Sequence, residues 1–142
     1  MLTAAFVFLA IFTAGGMTVL QLQHYAIYPA VGRESFAAYL QANNRAATIP
    51  SVAPAVALLI VSVALVITRP GTMSLAEGAG ALGLNLVALA STFSWQRALQ
   101  EEMARDGYDE GKVRKLVATN WLRTGAYGVQ AVLAIVVVLR RM

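Results

Sequence analysis

Nine polar or aromatic side chains are the candidates for chemistry in this sequence. An arginine can bind an anion through a fork of N–H donors, a histidine can move protons near neutral pH, and amides can both donate and accept hydrogen bonds. Most of these side chains lie within long apolar stretches, where water is scarce. The candidate ligand-binding residues are Gln21, His24, Tyr28, Arg45, Asn85, Asn120, Arg123, Tyr127 and Gln130.

Several of these residues recur at helical spacing. Positions that are three, four and seven residues apart lie on one face of a helix, so each set predicts a polar stripe. One stripe is Gln21, His24, Tyr25 and Tyr28, and another is Asn120, Arg123, Tyr127 and Gln130. Shorter stripes are Asn85, Thr92 and Gln96, and Asn44, Thr48 and Ser51.

His24 is the only candidate catalytic residue. Its type is consistent with a structural hydrogen bond, with general acid–base chemistry, or with ligation of a metal or haem. The count of one histidine excludes a bis-histidine haem, and the absence of cysteine excludes thiolate metal sites, disulfides and cysteine nucleophiles. We predict no cofactor and no metal, while a haem held by a single histidine stays open. No common catalytic or nucleotide-binding motif is present, so enzyme status also stays open.

The composition of the chain indicates that membrane-spanning helices position these residues. Of 142 residues 58% are apolar and only 13% are charged, about half the charge of a typical soluble domain. Four stretches, 2–28, 49–67, 75–95 and 117–139, are long enough to cross a bilayer as helices, which takes about 20 residues. The sequence therefore predicts one all-α domain over 1–142, an integral membrane four-helix bundle with short amphipathic extensions on one side.

Prolines and glycines predict where these spans begin, end and pack. Pro50 and Pro54 lie where the second span is expected to start, since a missing N–H matters least there. Pro70 and Gly71 predict a tight turn that makes spans two and three antiparallel neighbours. Small residues in the third span predict close approach of a neighbouring helix; they are Ala76, Gly80 and Gly83.

Two longer connections, 30–48 and 96–116, lie on one side of the predicted bundle. That side carries seven basic residues, namely Arg33, Arg45, Arg97, Arg105, Lys112, Arg114 and Lys115, while the side of the termini carries Arg69, Arg140 and Arg141. An excess of Lys and Arg favours the cytoplasmic side. We therefore expect a multi-pass protein of a bacterial inner membrane, with cytoplasmic long connections and both termini outside.

All four polar stripes fall in the half of the bundle next to the long connections. A charged or amide side chain that faces lipid costs a few kcal/mol, so these groups are expected to turn inward. One interpretation is a polar cavity with Arg123 as its cation. The other is a set of interhelical hydrogen bonds that only stabilise packing, each contributing about 0.6 kcal/mol.

Three segments resemble a known family. DEGKVRKLVATNWLRT resembles the loop and last helix of small bacterial four-span membrane proteins with an Asn-Trp-Ile-Arg-Thr motif. QHYAIYPAVGRESFAAY and NNRAATIPSVAPAVALL resemble that family's first connection and second helix. The family has no assigned function and is similar at a distance to the membrane family that contains fungal anthrone oxygenases. Its recurring residues correspond here to Gln23, Tyr28, Pro29, Phe36, Tyr39, Arg45, Pro54, Asn120, Trp121, Arg123 and Thr124.

The chain departs from this family at two places. Relatives tend to carry histidine just after the position of Tyr39, where this chain has Leu40 and Gln41, and Trp and Arg where it has Tyr127 and Gln130. The resemblance therefore implies a binding or structural role here more than a catalytic one.

Three functions are consistent with the sequence. The first is an intramembrane pocket for a small hydrophobic or anionic-headed ligand, and the second is an accessory subunit of a membrane complex. The third is an oxygenase- or isomerase-like enzyme without a cofactor, in which His24 transfers the proton. The expected partners are the lipid bilayer, a small hydrophobic ligand or lipid, and membrane proteins or a second copy; no nucleic-acid partner is expected.

Overall fold

Helix is the only regular secondary structure in residues 1–140, which the computed structural model describes together with all their side chains except that of Thr48. Arg141, used in the charge count, and the Thr48 side chain, used in a stripe, lie outside this description. The α-helices are α1 (Leu2–Val19), α2 (Phe36–Thr68), α3 (Leu75–Ser91), α4 (Arg97–Asp106) and α5 (Glu110–Leu139).

Two of these helices continue without a break into less common helical turns. A π-helical turn, Leu20–His24, and a 3₁₀ segment, Tyr25–Ala30, follow α1, while a second π-helical turn, Thr92–Gln96, joins α3 to α4. Four stretches are long and apolar enough to cross a membrane, namely Leu2–Ala30, Ile49–Thr68, Leu75–Asp106 and Glu110–Leu139. The all-α membrane bundle predicted from composition is thus confirmed.

The four long helical stretches form a closed ring of neighbours. α1 and α3 each pack against both α2 and α5. The turn between α2 and α3 is short, with Arg69 in the left-handed conformation at the end of α2 and Ser74 capping α3. Ser74 accepts from the backbone N–H of Glu77, whose carboxylate accepts from Ser74 N–H at 2.8 Å. The predicted antiparallel pairing of spans two and three is confirmed.

Pro50 and Pro54 lie at the start of the second span, Ile49–Thr68, as predicted, but they do not lie at the start of a helix. α2 already begins at Phe36 and runs through both prolines for 33 residues in all. Each proline removes one backbone hydrogen bond. The many apolar residues that follow stabilise the helix by packing and by their lipid surroundings, so it continues through both positions.

The small residues of α3 also lie differently from the prediction. Ala76, Gly80 and Gly83 are exposed, and a Cβ atom at Gly80 or Gly83 would meet nothing within 4 Å. The close approach occurs at buried Gly78 instead, where a Cβ atom would lie 3.5 Å from Val66 Cγ2 and 3.7 Å from the α2 backbone. Gly78 is thus the position at which α2 and α3 meet most tightly on this face.

Buried apolar residues form two clusters at different heights. The membrane core lies among the apolar halves of the helices and includes Phe6, Ala10, Leu58, Ala81, Ala134 and Val137. The cap core lies beside the long connections and consists of Tyr25, Tyr28, Phe36, Leu40, Leu99, Met103, Val113 and Leu116. The Tyr28 and Phe36 rings meet edge to face at 5.4 Å. The polar side chains lie between the cap core and the membrane core and just below the cap core.

Candidate functional site

The two π-helical turns bring one glutamine each to α5. Gln21 lies in the first turn, donates to Val117 O at 3.3 Å, and accepts from Asn120 Nδ2 at 2.7 Å. Gln96 lies in the second turn and donates to Thr119 Oγ1 at 2.7 Å and to Leu116 O at 3.4 Å. A π-helical turn adds a residue to the helix and is often found at functional sites. Here the two turns place amides on both sides of the same turn of α5.

A second polar layer lies deeper in the bundle. Asn85 donates to Ser62 Oγ on α2 at 2.9 Å and to Ala81 O at 3.4 Å. Gln130 on α5 donates to the same Ala81 carbonyl at 2.6 Å. These bonds join α2, α3 and α5, and both amides are fully buried.

Arg123 is the cation of the predicted site. Its Nη2 donates to the Met17 sulfur at 3.4 Å, and its Nε is buried without a hydrogen-bond partner among the described residues. Tyr25 and Tyr127 lie within electrostatic reach of the guanidinium. In residues 1–140 no carboxylate forms an ion pair with Arg123. A thioether is a weak acceptor, so the charge is left largely uncompensated by protein groups.

Several buried oxygen atoms lack a donor among the described residues. The amide groups of the two layers use their N–H donors, but every carbonyl oxygen among them except Gln21 Oε1 is unpaired, and two buried hydroxyls are unpaired as well. These atoms are Asn85 Oδ1, Gln96 Oε1, Asn120 Oδ1, Gln130 Oε1, Ser91 Oγ and Thr13 Oγ1. Each such group left without a partner costs about 1–3 kcal/mol. The interhelical bonds therefore account for only part of the polar content of the bundle.

His24 lies in the cap region. Its Nε2 is 3.4 Å from the Tyr28 hydroxyl, and its ring is half-buried beside the Tyr25 and Tyr28 rings. None of the described contacts joins His24 to Arg123 or Asn85. Over residues 1–140, no three His, Asp or Glu side chains are placed to hold a metal ion.

The nine candidates therefore divide into four pairs and one isolated residue. Gln21 and Asn120 contact each other, Arg123 and Tyr127 lie close together on α5, and Asn85 and Gln130 meet at Ala81. His24 and Tyr28 belong to the cap. Arg45 is exposed on α2, and no ion pair with it occurs within residues 1–140. The stripes of the first, third and fourth spans face inward as expected, but they do not all converge on one point.

Two cavities lie elsewhere on the bundle. The larger, about 480 Å³, opens near the chain's amino terminus and includes Thr3, Phe8, Thr72 and Val138 in its wall. The other, about 250 Å³, is a groove between α1 and α2 whose wall includes Phe12, Thr13, Gly16, Met17, Leu20 and Pro54. Neither wall contains one of the nine candidates. The second cavity is nevertheless adjacent to the site, because Met17 contacts Arg123.

Sequence reasoning missed Thr13, Met17, Ser62 and Thr119. Thr13 and Met17 precede Gln21 by eight and four residues, so extending the helical spacing of the first stripe toward the amino terminus would have found them. Ser62 and Thr119 carry no comparable signal, since single hydroxyl residues are common in membrane helices.

Comparison of the chain with models of protein families, with curated proteins and with solved structures found no match in any of the three. The fold and composition define a multi-pass helical membrane protein with two polar layers in its interior.

Proposed function

We propose that this protein binds a small amphiphile with an anionic head group in the polar half of its bundle, with Arg123 as the binding cation. The single observation that carries this proposal is the uncompensated guanidinium, whose buried Nε has no partner and whose Nη2 contacts only a thioether sulfur among the described groups. A charged side chain within a membrane helix is costly and commonly marks a functional site.

The surrounding groups suit a ligand with both polar and apolar parts. Arginine binds carboxylates and phosphates through two parallel N–H donors. The unpaired oxygens of Asn120 and Gln96 would accept hydrogen bonds from hydroxyl or amide groups, or from water that accompanies the ligand. The apolar remainder of the bundle matches the hydrocarbon of an amphiphile.

The enzyme hypothesis has less support from the contacts. Acid–base chemistry by His24 needs the imidazole within hydrogen-bond reach of the ligand, but His24 contacts Tyr28 in the cap region. The resemblance to the four-span family with the Asn-Trp-Ile-Arg-Thr motif stays a prediction, and so do the bacterial inner membrane and the cytoplasmic placement of the long connections.

Native mass spectrometry of the detergent-purified protein tests the proposal. We expect the wild-type protein to carry an amphiphile of discrete mass, Arg123→Met to lose it, and Arg123→Lys to retain part of it because the charge remains. Arg114→Met is the matched control on the same helix, since Arg114 is exposed and pairs with Glu110 at 3.6 Å.

Two results of this experiment would contradict the proposal, and a third would favour a different function. A wild-type protein without an adduct, or an adduct that is undiminished in folded Arg123→Met, would overturn the proposal. An empty protein found in a larger assembly would instead support the accessory-subunit hypothesis.

A further inference from the structure

We infer that the groove between α1 and α2 holds the hydrocarbon chain of a single-chain fatty carboxylate, whose head group reaches Arg123 past Met17. This inference rests on the proposed function and deepens it, because it names the class of ligand and the route by which it enters from the bilayer.

Met17 connects the groove to the cation. Its side chain is part of the groove wall, and its sulfur accepts from Arg123 Nη2 at 3.4 Å. Because a thioether is a weak acceptor, a carboxylate oxygen would replace it readily. The Met17 side chain is thus the group between the groove and the Arg123 guanidinium, and its movement would bring a ligand head group to the N–H donor.

The groove also contains an unpaired polar group. Thr13 lies in its wall, is only 4% exposed, and its Oγ1 has no hydrogen-bond partner among the described residues. A threonine hydroxyl in a helix can usually bond to the preceding turn. A hydroxyl left unpaired beside the groove indicates a place for a polar atom of the ligand one helical turn from Met17.

The volume of the groove favours a ligand with a single hydrocarbon chain. This volume is about 250 Å³, just below the roughly 300–1,000 Å³ of sites for drug-sized ligands. That space suits one chain better than two chains or a fused ring system. Phe12, Gly16 and Pro50 on its rim are exposed, so the groove opens toward the lipid.

The geometry of Arg123 favours a carboxylate as the head group. The free Nε and the weakly held Nη2 are neighbouring donors on one edge of the planar guanidinium. A carboxylate presents two acceptor oxygens in the matching arrangement. The ligand would thus neutralise a cation that has a buried Nε without a partner and no ion pair within residues 1–140.

The experiment measures binding of labelled oleate to the full-length protein in nanodiscs of zwitterionic lipid. Gly16→Leu adds a side chain to the groove wall at a position where a Cβ atom meets nothing within 4 Å. Gly15→Leu is the matched control, since Gly15 is also exposed and open but lies outside the groove wall. We expect about tenfold weaker oleate binding in Gly16→Leu and no change in Gly15→Leu.

Three comparison probes separate the parts of the ligand. Oleyl alcohol lacks the charge and should bind at least about tenfold more weakly than oleate. Butyrate lacks the chain and should not bind detectably, and a two-chain phosphatidylglycerol should not displace oleate. Equal binding of oleate and its alcohol, or displacement by the two-chain lipid, would contradict the assignment.

The two proposals can fail separately. If Gly16→Leu remains folded by circular dichroism and binds oleate like the wild type while Arg123→Met does not, the groove assignment is wrong and the proposed function stands. If neither substitution changes oleate binding, both are wrong.

Discussion

Gln21, in the π-helical turn that follows α1, and Asn120 on α5 form the only direct side-chain amide pair between these two elements among the described residues, at 2.7 Å. Both are buried, so loss of Asn120 leaves Gln21 Oε1 without its donor, while loss of Gln21 leaves Asn120 Nδ2 with Thr124 Oγ1 at 3.3 Å. In the unfolded state such groups find other partners within the membrane. An interhelical hydrogen bond therefore contributes only about 0.6 kcal/mol to stability on average, and about 1.7 kcal/mol at most.

A double-mutant cycle measures this pair. We expect Gln21→Ala and Asn120→Ala to lower the free energy of unfolding in mixed micelles, with a coupling energy of about 0.6–1.7 kcal/mol. The control cycle joins Gln21→Ala with Gln130→Ala, because Gln130 bonds to Ala81 in the deeper layer and should couple with Gln21 by less than about 0.5 kcal/mol. Equal coupling in the two cycles would contradict a direct bond.

At this scale the sequence predicted which residues face inward but not what each one touches. Helical spacing placed Gln21, Asn85, Asn120 and Gln130 on inner faces, and all four are buried. Met17 continues the spacing of the first stripe, but it was missed as the neighbour of Arg123 because its apolar type does not indicate a polar contact. Spacing also cannot show that the oxygens of Asn85, Asn120 and Gln130 stay unpaired, since that depends on distances between helices.

At the scale of the helices, Gly78 is the glycine of α3 at which α2 leaves no room for a large side chain. The exposed glycines of α3 have no such neighbour. A Cβ atom at Gly78 would already touch α2 at an ordinary contact distance, so the further carbons of leucine would meet the α2 backbone. At Gly80 the same side chain would enter open space.

Leucine substitutions at these two positions should therefore differ in effect. We expect Gly78→Leu to lower the free energy of unfolding by about 1–3 kcal/mol and Gly80→Leu to change it by less than about 0.5 kcal/mol. Gly78→Ala should be tolerated, since its methyl group makes only normal contact. Denaturant titration in micelles provides the measurement, and equal losses for the two leucine variants would show that α2 does not approach α3 at Gly78.

The sequence predicted the four spans well because their apolar length is a strong signal, but local rules failed within them. Pro50 and Pro54 lie inside α2 because tertiary packing overrides the tendency of proline to mark a helix start. The π-helical turns at Leu20–His24 and Thr92–Gln96 have no compositional signal. Both turns contact α5, so they become visible only once the helices are placed together.

At the scale of the whole molecule, the orientation in the membrane is still a prediction. The sequence has no cysteine, so a single introduced cysteine can be labelled without background. Glu34 lies in the first long connection and Gly71 in the turn at the opposite end of α2, and both are exposed. In intact bacterial cells we expect a membrane-impermeant maleimide to label Gly71→Cys, and to label Glu34→Cys only after permeabilisation. The reverse pattern would place the long connections outside, and identical labelling of both would contradict a spanning α2.

The separation of the cap core from the membrane core has a thermodynamic consequence. The stretch Leu2–Ala30 has 29 residues and is about 43 Å long, whereas the hydrocarbon of a bilayer is about 30 Å thick. The cap therefore exchanges water for protein when it folds, and this exchange changes the heat capacity. The membrane core exchanges lipid for protein and gains chiefly dispersion contacts. Urea and temperature should thus act mainly on the aromatic end of the molecule, while lipid composition acts on the other.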